Sequence, residues 1–150
     1  MITKYLVDKN FPKDSKIVDF GCGTGILGIE LTKNGFTNIV GVDGSPEMLA
    51  VAKSKQIDGK PVYRDSYVCL VGSEPLTLSE TDFDIVVSSA CMIKGHFPNT
   101  IFDQFCDVMK PSATMVFSIR DIYLDSATDS GMNYHGALAD REGKSIKKLD

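Results

Sequence analysis

Apolar positions along the chain fall into short runs divided by polar, glycine-bearing breaks. Lys16 to Phe20 is the first run, ending abruptly at Gly21. A bounded, β-branched run of this length predicts a buried strand of a parallel sheet. Gly25 then opens a segment carrying Ile26, Leu27, Ile29 and Leu31, closed by Asn34-Gly35. That pattern predicts a helix with a left-handed C-terminal cap. Thr37 to Val42 reads as a second strand ending at Asp43, and Ser45-Pro46 starts a helix through about Lys55, with serine as N-cap and proline in the first turn.

Lys60 to Arg64 reads as a short third strand and Phe83 to Ser88 as a fourth. Asn99 is the expected cap of a helix with an apolar stripe of Ile101, Phe102, Phe105, Val108 and Met109, stopped by Pro111. Ala113 to Ile119 is the fifth strand. Strands alternating with helices predict βαβ units, and right-handed crossovers leave few topologies. The simplest is a mostly parallel, doubly wound α/β sheet of order 3-2-1-4-5. From Asp121 to Asp150 large apolar residues thin out, and a short helix around Tyr134 to Glu142 is the element expected there.

With 150 residues the chain is one domain's worth of protein, its core falling within about 15–120 and a polar segment within 121–150. A formal charge of −4 gives no basic footprint, so nucleic acid is an unfavoured partner. Cys22, Cys69, Cys91 and Cys106 are widely spread, without C-x-x-C or Cys/His ligand spacing, which predicts reduced thiols, no metal site and a cytoplasmic protein. Residues 1–10 have scattered charges and no apolar core of a signal peptide, and no run approaches the ~20 residues a membrane span needs.

The chemistry concentrates in Asp19-Phe-Gly-Cys-Gly-Thr-Gly25, which joins the first strand to the first of these helices. Glycines there allow a tight turn and close approach of a ligand to backbone, and a helix N-terminus behind them offers unpaired N–H groups. Gly23, Gly25 and Gly28 also spell a dinucleotide-type G-x-G-x-x-G. Asp43, after the second strand, suits ribose hydroxyls whichever nucleoside binds. Asp19 separates the two ligands. Beside a pyrophosphate its carboxylate is repulsive, whereas beside the ammonium of a methionine moiety it is attractive. A methyl donor is therefore favoured over NAD, and an oxidoreductase stands third among the function classes.

Ile17 to Gly25 resembles motif I of the class I S-adenosylmethionine-dependent methyltransferases, and Val42-Asp-Gly-Ser-Pro-Glu-Met-Leu49 resembles the acidic motif that follows it. Phe83 to Ser88 and Val108 to Phe117 resemble the later strand motifs. A narrower likeness, in Gly35-Phe-Thr-Asn38, Gly95-His96 and Tyr134 to Ala139, is to the Williams–Beuren syndrome chromosomal-region methyltransferase-like proteins. The resemblance implies a Rossmann-like fold, S-adenosylmethionine as cofactor and a small-molecule or protein methyl acceptor. It implies that Asp19, Gly21, Cys22, Gly23, Thr24 and Gly25 hold the methionine end, and that Asp43 takes the ribose. Gly44, Ser45 and Met48 would then lie beside the adenosine, Asp65 with Ser66 at the adenine edge, and Ser88, Ser89 and Ala90 along the cleft. Asp65 reads equally as a solvated loop carboxylate.

Against the family pattern, Pro111-Ser-Ala113 lacks the glycines usual before the fifth strand, so that turn is expected to be rebuilt. The chain also looks short at both ends, with the family's C-terminal antiparallel pair absent or incomplete. The fifth strand would then be an edge open to self-association or a partner. His96 is the candidate general base, with an ordinary loop histidine as the alternative. Cys91 reads as a packed thiol. A non-catalytic S-adenosylmethionine-binding or partner-binding module is the second function class.

Overall fold

The computed structural model describes residues 1–123 and 131–139. In chain order these form α1 (Ile2–Asp8), β1 (Ile17–Phe20), α2 (Ile26–Lys33), β2 (Ile39–Asp43), α3 (Pro46–Lys53), β3 (Gln56–Ile57), β4 (Lys60–Pro61) and β5 (Asp65–Val68). There follow β6 (Phe83–Met92), α4 (Ile101–Val108), β7 (Met109–Ile119), a 3-10 turn at Asp121–Tyr123 and α5 (Tyr134–Ala139). Five strands make the main sheet in the order β5-β2-β1-β6-β7, with every neighbouring pair parallel. This is the expected 3-2-1-4-5 order and doubly wound, Rossmann-like architecture.

Side-chain alternation assigns the two faces of the sheet. Val18, Phe20, Val40 and Val42 pack with Phe102 and Phe105 of α4 on one face. Ile17, Ile39, Ile85 and Val87 pack with Leu31 of α2 and Leu49 of α3 on the other. Asp19 falls on the α2/α3 face by the same period of two. A carboxylate is thereby carried into a core layer.

Gly25 is the left-handed N-cap of α2, and Asn34 with left-handed Gly35 closes that helix, as its local signals predict. Ser45 caps α3 by accepting from the Met48 N–H at 3.2 Å, and Pro46 is its first residue. The sequence pattern passes over α1. Its Ile2 and Leu6, one turn apart, are buried on the α2/α3 face, where the helix packs on α2 and β7.

Three boundaries differ from expectation. The third strand of the sheet is Asp65–Val68, because Lys60–Pro61 pairs instead with Gln56–Ile57 in a small antiparallel hairpin. Its turn is Asp58-Gly59, both at positive φ, the pairing that favours tight hairpins. Helix α4 begins at Ile101 with Thr100 as N-cap and no side-chain capping bond, so Asn99 is not its cap. A turn from Pro98 leads in, its carbonyl accepting from the Ile101 N–H at 3.1 Å. Met109 ends the helix with extended backbone and starts β7 directly, with a register shift between Phe83 and Ile85 absorbing Pro111. Where a turn is expected, Pro111, Ser112 and Ala113 lie within β7, and none has a positive φ.

Among the described residues no strand follows β7. Helix α5 occupies Tyr134–Ala139, and the rest of the helix expected to Glu142 lies outside the described residues. Tyr134 is fully buried, edge-on to Phe102 and Tyr123, and donates its hydroxyl to the Phe97 carbonyl. No helix among the described residues is long and apolar enough to cross a membrane.

Candidate functional site

The carboxyl ends of β1 and β2 lie side by side, Phe20 opposite Val42, and the chain leaving β1 turns across them. The N–H groups of Gly21 and Cys22 donate to the Val42 carbonyl at 2.8 and 3.1 Å, which pins the loop to β2. Gly21, Gly23 and Gly25 have φ of 70°, 53° and 86°, values that side-chain-bearing residues resist. Asp43 then ties the loop to the next helix. Its Oδ2 accepts from the Gly23 N–H at 2.8 Å and its Oδ1 from the Ser45 N–H at 2.9 Å. A Cβ on Gly23 would meet nothing within 4 Å, so the middle of the loop is open to an incoming group.

Asp19 lies beneath this loop, 1% exposed. Its Oδ2 accepts from the Tyr63 hydroxyl at 2.8 Å, while Oδ1 has no hydrogen-bond partner among the described residues. Burial lifts its carboxyl from the ordinary 3.8 to about 7, with Tyr63 opposing that rise and the nearby Asp43 charge adding to it. A buried carboxylate with one unanswered oxygen is costly in isolation and favours a cation or a donor delivered to it.

The far wall is the end of β6 and the segment after it. Ser88 is buried, and Ala90 takes a left-handed φ of 62° while its N–H donates to Ser118 Oγ at 2.7 Å. The Cys91 thiol donates to the Gly21 carbonyl at 3.5 Å, and burial holds that thiol up at about 11. Burial raises Cys22 further still, with Asp19 and Asp43 adding to it, so neither thiol is a ready nucleophile. His96 is exposed in the segment after β6, its backbone N–H on the Ile93 carbonyl at 3.1 Å. The next residue, Phe97, packs against Gly21.

Most residues picked from the sequence therefore meet at one end of the sheet: Asp19, the loop from Gly21 to Gly25, Asp43, Gly44, Ser45, Met48 and Ser88. Asp65 and Ser66 do not join them. They open β5 opposite Val40 and Gly41, three and two positions before Asp43, and the Asp65 carboxylate is engaged by the Tyr67 hydroxyl and the Ser66 N–H at 2.7 and 2.8 Å. The residue level with Asp43 is Val68. Val68, Leu70 and Met48 are exposed apolar side chains, 53, 54 and 47%, and Leu70 packs on Gly44, where a Cβ would come within 2.9 Å. They supply an apolar surface beside the ribose-type carboxylate, where Met48 is expected from the sequence, whereas sequence reasoning, which ends the third strand at Arg64, misses Val68 and Leu70. Tyr63 is the other residue it misses.

A carboxylate at the end of the second strand, a glycine loop at a helix N-terminus and an apolar surface beside them define a nucleoside-binding Rossmann-like domain. The chain belongs to the methyltransferase domain family, whose model matches residues 2–146. The cofactor of that family is S-adenosylmethionine (SAM). Methyltransferase-like protein 27 of Homo sapiens is 32% identical over 127 residues, 85% of this chain and 47% of that protein. The narrower resemblance seen in the sequence is to this group. The chain thus spans about half the length of that curated relative. Among solved structures, the ribosomal protein L11 methylase of Lactobacillus delbrueckii subsp. bulgaricus matches with TM-score 0.67 at 17% identity, over 93% of this chain and 65% of that one. Magnesium protoporphyrin IX methyltransferase of Synechocystis, solved with bound SAM, matches with TM-score 0.58 at 18% identity, over 73% and 51%. At these identities the structural likeness speaks for the fold.

Proposed function

We propose that this chain binds SAM at the carboxyl ends of β1 and β2 and directs its methyl group to a small-molecule or protein acceptor. The observation that carries the proposal is Asp19: a fully buried carboxylate with one oxygen unanswered among the described residues, under a glycine loop whose middle is open. Such a group suits the ammonium of a methionine moiety, met directly or through one water, and disfavours a pyrophosphate. The loop around Gly23 and the first turn of α2 would receive the carboxylate of the same moiety. Asp43 would take the ribose hydroxyls while keeping the loop in place, and Met48, Val68 and Leu70 would cover the flat face of the base.

SAM supplies an already electrophilic methyl group on a sulfonium. The chain's own task is to hold an acceptor in line with it, and orientation of this kind contributes about 7–11 kcal/mol in the best cases. Ser88, Ser89 and Ala90, at the end of β6, are the residues we assign to the acceptor side. His96 would serve as general base for an acceptor whose proton must leave early. We also assign the protein to the cytoplasm, in keeping with four free cysteines. The outer edge of β7, with half-buried Met115 and Phe117, is retained as the surface for self-association or a partner strand.

Incubation with SAM labelled on its methyl group, against pools of small molecules and peptides, tests the catalytic part. Label transferred to an acceptor supports the enzyme. Tight cofactor binding with no transfer to any pool, and a stable complex with another protein, would support the non-catalytic module instead.

A further inference from the structure

Tyr63 lies in the segment between the β3–β4 hairpin and β5, and its ring fills a space left by three glycines, at the N-cap of α2, inside α2 and inside β2. A Cβ on Gly25 would come within 3.1 Å of its Cε2, and one on Gly41 within 3.0 Å of its Cδ1. At Gly28 a Cβ would sit 2.5 Å from both Cζ and Oη. Gly28 lies inside α2 and Gly41 inside β2, and neither has a positive φ. Backbone geometry therefore does not call for glycine at either position, where glycine ordinarily weakens a helix or strand. The space they leave is what the phenol needs.

The hydroxyl placed there donates to Asp19 Oδ2 at 2.8 Å, and the phenol lies against Gly28 in the first turn of α2. Tyr63 thus bridges the first turn of α2 and the carboxylate on β1. The other titratable groups around Asp19 are Asp43 at the end of β2, Cys22 in the loop and Cys91 at the end of β6. None of them is a cation. Burial pushes both thiols and the Tyr63 hydroxyl upward, so they remain neutral at physiological pH, and Asp43 opposes ionisation of Asp19. Tyr63 is accordingly the one side chain in this set that donates to Asp19. A phenylalanine would fill the same space equally well, so packing alone does not account for the hydroxyl.

We propose that Tyr63 is a positioning residue of the methyl-donor site, holding the Asp19 carboxylate in place to receive the cationic end of the ligand and joining it to the first turn of α2. This rests on the SAM-binding reading given above. The hydroxyl favours the charged form of Asp19, and the ligand's ammonium favours it too, so the two act on the same equilibrium. Ligand affinity in the wild-type chain is expected to rise with pH through the neutral range as Asp19 ionises. Loss of the hydroxyl shifts that rise to higher pH.

The test is calorimetric titration of S-adenosylhomocysteine, which carries the same ammonium, into the wild-type chain, Tyr63→Phe and Asp19→Asn from about pH 6 to about pH 8.5. A hydrogen bond to a charged group is strong enough that Tyr63→Phe should lose about tenfold in affinity near neutral pH. Its midpoint should move up by about one unit, with partial recovery at the alkaline end. Asp19→Asn should bind weakly with little dependence on pH. A second readout needs no ligand: the Asp19 carboxyl resonance, followed by NMR in the ligand-free chains, should titrate at higher pH in Tyr63→Phe than in wild type. Wild-type binding together with an unchanged affinity, pH profile and carboxyl titration in Tyr63→Phe overturns the inference and leaves the SAM reading standing. Failure of the folded wild-type chain to bind S-adenosylhomocysteine overturns the SAM reading, and the inference with it.

Discussion

Replacing Asp19 by asparagine keeps the shape of the side chain and an acceptor for Tyr63, and exchanges the ionisable oxygen for an uncharged amide NH2. Burial, with Asp43 adding and Tyr63 opposing, lifts the Asp19 carboxyl from 3.8 to about 7 in the folded chain. In the unfolded chain it titrates near its ordinary value. Below that value both states are protonated and the group contributes nothing against folding. As pH rises, the unfolded chain ionises first, so the folded state loses ground until the folded carboxyl ionises too. The full displacement of roughly three units corresponds to about 4 kcal/mol. Between about pH 5 and about pH 8.5 the linkage relation gives about 2–3 kcal/mol of stability lost by wild type and not by Asp19→Asn. The remaining titrating groups are common to both chains and cancel in the difference. Urea denaturation of the two chains across this range measures it directly. A difference that stays constant with pH, or that moves in favour of wild type as pH rises, would refute the placement of Asp19 as a buried, charge-disfavouring group. Ligand affinity should fall in the same variant that gains stability, the usual relation between a strained site and its function.

Three further outcomes follow from the packing. Gly21→Ala places a Cβ against the Cys91 thiol at a φ of 70°, and should cost about 2 kcal/mol or more in urea denaturation; an unchanged midpoint would contradict the loop geometry. Phe105→Ala empties a fully buried position whose ring stacks on Phe20 at 4.7 Å between centroids, and should cost about 3–5 kcal/mol by the same measurement. Asp65→Asn should leave S-adenosylhomocysteine affinity within about twofold of wild type, since a distant exposed carboxylate is worth well under 1 kcal/mol to the site. A tenfold loss would return Asp65 to the adenine edge.

The stretch from β1 to α3 is legible in the sequence because its signals are local. Gly25, Asn34-Gly35, Ser45 and Pro46 act within a turn of where they stand, and the apolar runs between them end where the strands end. Asp19 and Asp43 could be singled out because a carboxylate at a strand's end beside a glycine turn has few structural uses. The third strand fails for the opposite reason. Val62 and Tyr63 are buried like strand residues, but they pack from a connecting segment, and Asp58-Gly59, a hairpin signal present in the sequence, diverts Lys60 and Pro61 into a separate sheet. With the third strand ending at Arg64, Asp65 falls at its carboxyl end, where the resemblance puts the adenine edge; the structure instead opens β5 with Asp65 and sets Leu70 against Gly44. Tyr63 is legible only in three dimensions. Its partners Asp19, Gly25, Gly28 and Gly41 are scattered along the chain, and the two glycines in regular elements look like weak points until the ring that occupies them is seen.

We assign the cleft at the ends of β1 and β2 to SAM. Titrating S-adenosylhomocysteine into the purified chain by calorimetry tests it most directly, with NAD as control and Asp43→Ala in parallel. Asp43 holds Gly23 and Ser45 and is the group assigned to the ribose. The expected result is micromolar binding that NAD does not reproduce and that Asp43→Ala weakens by tenfold or more, the loss of hydrogen bonds to a charged group. Equal binding of NAD, or no binding of S-adenosylhomocysteine by a folded chain, would contradict it.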